Sequence, residues 1–139
     1  SQSDSWIQLA STYYENGKTE SELKYRGKKL NGTAKWYYNT GAIKQQVEYK
    51  NDRMEGKLFT WFPNGERESE VEYVNDKRNG VSMLWDRFGN KLEEVHYQND
   101  TLDGKCTTWF SEGSVRMTGN YVNGLYDGNG FIIMKLAWW

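Results

Sequence analysis

The sequence predicts an all-β chain: an elongated, twisted, single-layer antiparallel meander of 24-residue β-hairpin repeats, about eleven strands in all. Three observations carry this expectation. Two glycine registers keep a period of 24 without slippage, one at Gly17, Gly41, Gly65, Gly89 and Gly113, the other at Gly32, Gly56, Gly80, Gly104 and Gly128. Two aromatic registers share that period: Tyr25, Tyr49, Tyr73, Tyr97 and Tyr121, and a second running Tyr13, Tyr37, Trp61, Trp85 and Trp109 that breaks only at Ile133. Turn chemistry recurs at half the period, about every twelve residues, which leaves no room for amphipathic helices with their own connections.

Each unit reads as a hairpin joined to the next by another hairpin turn. One connection is typified by Pro63-Asn64-Gly65, where proline presets the first turn position and glycine supplies positive φ at a three-residue closure. The other is Asn51-Asp52, Asn75-Asp76, Asn99-Asp100 and Asn123-Gly124, residue types that tolerate the left-handed conformation of a two-residue turn. Gly27-Lys28 is its first and least regular copy. Strands are expected near 6–14, 18–26, 30–38, 42–50, 54–62, 66–74, 78–86, 90–98, 102–110, 114–122 and 126–134. The 139 residues form one repeat domain, with 1–12 a half-repeat cap, 13–134 the repeats and 135–139 a tail whose Trp138 and Trp139 fold back or stay exposed.

Composition narrows the function classes. Eighteen Lys and Arg against 19 Asp and Glu leave a net charge of −1, so no electrostatic footprint points to nucleic acid. A single Cys106 forms no internal disulfide, and one His with one Cys builds no zinc site. No apolar run approaches the roughly 20 residues that span a bilayer. Trp, Tyr and Phe total 22 while Leu, Ile and Val total 20, so the ring columns are the expected core. Stacked rings would line the inner side of a bent layer, each pair contributing about 0.5–1.5 kcal/mol beyond area burial.

Alternation assigns faces. In the tyrosine-bearing strands, Leu23, Val47, Val71 and Val95 share a parity with the tyrosines. The opposite, wet parity holds Glu22, Gln46, Glu70 and Glu94, then Lys24, Glu48, Glu72 and His96. In the other strands Ala34, Leu58, Ser82 and Cys106 stand opposite the Tyr37–Trp109 column. An acidic stripe of Glu20, Glu22, Glu68, Glu70, Glu72, Glu93 and Glu94 reads as a solvated face or a contact for a basic partner. His96 has no nucleophile repeated beside it, Cys106 occupies a small-residue register, and Glu93 and Glu94 point to opposite faces. No catalytic constellation, cofactor loop or metal set is expected.

The stretch "WYYNTGAIKQQVEYKNDRMEGKLFTWFPNGE" and its repetitions resemble the MORN repeat variant, and particularly bacterial proteins described as YwqK family antitoxins. The resemblance covers roughly residues 13–134. It implies a MORN-like hairpin meander and a non-enzymatic scaffold that neutralises or accompanies a partner protein by direct contact. The contact candidates are the rings expected to be exposed next to the main column, Trp36, Tyr38, Phe62 and Phe110. The alternative is a wall- or glycan-binding module using its aromatic rows. Self-association through the terminal strands is a third expectation. Compartment stays open between the bacterial cytoplasm and, if a leader was removed, the envelope or exterior.

Overall fold

The computed structural model describes residues 6–128 and, for the backbone, 131–132. Fifteen strand segments follow in chain order: β1 (Ile7–Tyr13), β2 (Thr19–Arg26), β3 (Lys29–Leu30), β4 (Gly32–Tyr37), β5 (Ile43–Lys50), β6 (Arg53–Met54), β7 (Gly56–Trp61), β8 (Arg67–Val74), β9 (Lys77–Trp85), β10 (Lys91–Gln98), β11 (Thr101–Leu102), β12 (Gly104–Trp109), β13 (Val115–Val122), β14 (Leu125–Tyr126) and β15 (Phe131–Ile132). They form one antiparallel sheet, and its order along the main path follows the chain from β1 to β14. No helix occurs among the described residues, and the first and last strands do not pair to close the sheet.

The expected strands 30–38, 54–62 and 102–110 are each split by one residue. Asn31, Glu55 and Asp103 donate their N–H groups back to the carbonyls of Lys24, Glu48 and His96. The next residue, Gly32, Gly56 or Gly104, then takes φ of 114°, 108° or 111°. The second glycine register therefore marks a kink inside a strand, a conformation closed to other residues. Both turn assignments hold. The Tyr14 N–H bonds the Lys18 carbonyl at 2.8 Å and the Gly17 N–H bonds the Tyr14 carbonyl at 2.9 Å, closing a three-residue loop. At Asn51-Asp52, φ is 48° and 68°, the paired left-handed residues of a tight two-residue turn.

Register then fixes the faces, because directly paired residues share a side. Ala34 pairs with Val47, Leu58 with Val71, Ser82 with Val95 and Cys106 with Gly119, all on the side of the tyrosine column. Phe59 pairs with Glu70 and Met83 with Glu94 on the other side, which also carries Tyr37, Trp61, Trp85 and Trp109. The wet parity is thus shared by charges and tryptophans. The ring columns are also not the fully buried material. That role falls to Ala34 (1% exposed), Val47 (0%), Val95 and Cys106, joined by Ser21, Ser69 and Thr107. One layer cannot enclose a large ring from both sides, whereas small side chains sink between taller rows. The expectations for Ser1–Ser5, the end of strand 126–134 and the tail 135–139 lie outside the described residues.

Candidate interaction surface

Two rims and two faces are available, and the rims do structural work. Tyr14, Tyr38, Phe62, Asp86 and Phe110 open the three-residue loops. The Tyr38 hydroxyl donates to the Trp61 carbonyl of the next hairpin at 2.7 Å, and Tyr14 makes the same bond to Tyr37. Asn16 and Asn64 reach across one repeat in the same way, to the carbonyls of Asn39 and Arg87, each at 2.8 Å. Of the four contact candidates, Tyr38 therefore ties repeats together through its hydroxyl. Phe62 and Phe110 hold the same turn position without one. Trp36 lies on the tyrosine side, its backbone between Ser21 and Gln45. All four are half-buried, and the structure does not bring Trp36 onto the same face as Trp61.

At the opposite rim the two-residue turns are clamped to one another. The Asp52 N–H donates to the Leu30 carbonyl at 2.9 Å while its carboxylate accepts the Leu30 N–H at 2.7 Å. Asp76 repeats this clamp on Met54, and Asp100 repeats it on Arg78. Gly124 keeps only the backbone half, to Leu102. The Asp register was visible in the sequence, but it reads there only as turn propensity. Its bond partner lies 22 residues away and emerges only once neighbouring turns are stacked.

On the tryptophan side, rings alternate with charges. The Arg67 guanidinium lies 4.7 Å from the Phe59 ring centre and 5.8 Å from that of Trp61. Glu70 accepts from Lys57 at 2.9 Å and from Arg67 at 3.2 Å. Lys91 sits 5.1 Å over Trp109 and pairs with Glu94 at 2.8 Å. The hydrogen bond from Lys91 holds the Glu94 carboxyl below its ordinary range. Burial, reinforced by the Glu22 carboxylate, pushes the Tyr37 phenol up. Four of the seven carboxylates in the expected stripe, Glu22, Glu70, Glu72 and Glu94, face this way, each with a cation or a phenol beside it, so it is a mixed surface rather than an acidic one. Such rows favour contact with another macromolecule over chemistry on a small one.

The clefts agree with that. Open depressions of about 380–440 Å³ lie along the rims, one lined by Lys29, Lys50, Asn51, Arg53, Glu55 and Asn75. His96 Nδ1 faces the Lys105 carbonyl at 2.9 Å. Burial, then Glu93, raises the Cys106 thiol, which suits a packed side chain rather than a nucleophile. Among the described residues no group of His, Cys, Asp or Glu gathers to hold a metal.

The MORN repeat variant pattern matches residues 9–26, 30–51, 54–75 and 102–123, more than half of the chain. This chain belongs to the MORN repeat variant family. The unmatched interval between 75 and 102 keeps the same period, with Gly80, Gly89, Trp85 and Tyr97 in register. No curated protein matches the chain. MORN repeats commonly serve protein or membrane binding and are generally non-catalytic scaffolds. Among the described residues, no helix is long and apolar enough to cross a membrane.

Proposed function

We propose that this MORN variant chain is a non-catalytic scaffold that holds another protein against its sheet, as an antitoxin-like or accessory binding subunit. The observation that carries the reading is the single layer itself. Half-buried rings cross the sheet on every repeat, and among the described residues no second layer packs on either side. Unmatched apolar surface in rows rimmed by polar groups is the usual signature of a protein contact. Trp36, Phe62 and Phe110 are the candidate contacts of this reading, and Tyr38 contributes its ring face beside its tie to Trp61.

The test is partner capture by the purified chain, comparing wild type with the double substitution Trp36→Ser and Phe62→Ser. Weakened capture with an unchanged cooperative melt supports the reading. Loss of the melt would instead assign both rings to packing. Capture of isolated cell-wall glycan, with no protein retained, would replace the reading with the glycan-binding alternative.

A further inference from the structure

Pairing places Trp61 beside Arg67 and Trp85 beside Lys91, and Lys91 reaches on to Trp109. The three indoles thus stand on every second strand of one face. With strands about 4.8 Å apart, the backbones that carry consecutive rings recur at about 9.6 Å. A polyproline II helix has three residues per turn and a rise of about 3.1 Å, so its side chains repeat a face every ~9.3 Å. The match drifts by only about 0.3 Å per ring. An α-helix repeats at about 5.4 Å, or 10.8 Å over two turns, and falls out of step by more than 1 Å at each ring.

A second observation concerns the donors. No described residue accepts a hydrogen bond from the indole N–H of Trp61, Trp85 or Trp109, and all three rings are half-buried. A polyproline II backbone has no internal hydrogen bonds, so its carbonyls are all free to accept. Donors and acceptors therefore recur with the same period as the rings. The ring faces of Trp61 and Trp109 are already approached by Arg67 and Lys91, which favours a ligand lying over ring edges above one that stacks flat, as a sugar does. The row continues to Tyr37, beside an open cleft of about 390 Å³ lined by Thr19, Glu22 and Tyr37 among others.

From this geometry we infer that the tryptophan row seats a proline-rich segment of a partner protein, laid across the strands as a polyproline II helix with one proline over each of Trp61, Trp85 and Trp109. The inference rests on the protein-binding reading and names a ligand class for it, with the contact on the tryptophan face that Phe62 and Phe110 border and not on Trp36. Phe62 and Phe110, one residue beyond Trp61 and Trp109, border the seat at the rim.

The test titrates the whole chain with a twelve-residue peptide carrying proline at every third position. A peptide of the same composition with its prolines in adjacent pairs, and a soluble cell-wall oligosaccharide, serve as the other arms. Indole N–H resonances and tryptophan fluorescence are followed. The periodic peptide is expected to shift Trp61, Trp85 and Trp109 and to leave Trp36, on the opposite face, unmoved. Trp85→Phe keeps a ring and removes one donor, and should weaken binding about three- to tenfold with little effect on folding. Equal binding of the two peptides, shifts centred on Trp36, or occupation of the row by the oligosaccharide alone would each overturn the inference. A natural protein partner retained at full strength by Trp85→Phe would also overturn it, while leaving the broader protein-binding reading intact.

Discussion

Residue by residue, this sheet is held by side chains that bond one repeat further along. Asp100 makes the point most clearly. Its carboxylate accepts the Arg78 backbone N–H at 2.8 Å and the Arg78 Nε at 3.0 Å, and these bonds, the backbone one first, lower its pKa. Asp86 is lowered for the same kind of reason, by the N–H of Asn90 in its own turn. A carboxylate depressed in the folded state contributes stability that is fully present above its unfolded value of about 3.9, and that is lost as pH falls through the lower folded value. Wild-type stability should therefore drop as pH is taken below about 4. Asp100→Asn should flatten that acid limb in urea titrations at pH 3–7, because its amide does not titrate. An acid limb of unchanged steepness would show that the turn clamps do not depend on charge. The same positions mark the limit of what the sequence discloses. The Asn-Asp pairs announce tight turns through local backbone preference, whereas the carboxylate's partner is a property of stacked turns.

At the level of strands and turns, most of the architecture was legible because each signal is local. Gly17 and Asn51-Asp52 dictate their turn types from their own dihedral preferences, and the 24-residue recurrence repeats that signal until strand positions are determined within a residue or two. Which rings share a side with which charges was harder to read. Each three-residue loop has a register shift beside it, as where Thr60 pairs with Ser69 but Trp61 with Arg67 and Glu68 is left over, so parity carried through the loop in sequence no longer tracks the face in space. A strand glycine can be tested against a loop glycine. Gly80 has φ of 115°, and a Cβ there would collide with the Glu72 carboxylate and lie 3.3 Å from the Glu72 Cβ. Gly65 has φ of 89° and open space around it. Both alanine substitutions are strained by backbone conformation, on the order of 1–3 kcal/mol. Gly80→Ala should be the more costly, since its φ lies further from the left-handed well and Glu72 must also move. Equal losses in chemical denaturation would mean that the kink carries no steric demand beyond its φ.

Across the whole molecule, the packing links each strand mainly to its immediate neighbours in the sheet, so stability should be close to a sum over hairpins. The period then becomes a rule about which deletions the fold accepts. Removing residues 53–76 joins Asp52 to Lys77, keeps an Asn-Asp turn, and leaves every remaining glycine, tyrosine and tryptophan column aligned. It also preserves the alternation of strand direction, because two strands leave together. That variant should fold, unfold cooperatively, and show a denaturant slope reduced by about one-sixth, in line with the smaller surface exposed. Removing half a period, residues 65–76, takes out β8, the Asn75-Asp76 turn after it and Gly65 and Glu66, which close the loop before it. The ring-bearing strand ending at Trp61 would then run straight into β9 with no reversal between them, and the order of up and down strands would fail from that point on. This shorter deletion should abolish the cooperative transition although it removes fewer residues. If the two variants instead lost stability in proportion to length alone, the repeat would be a pattern of sequence and not the unit in which the sheet is built.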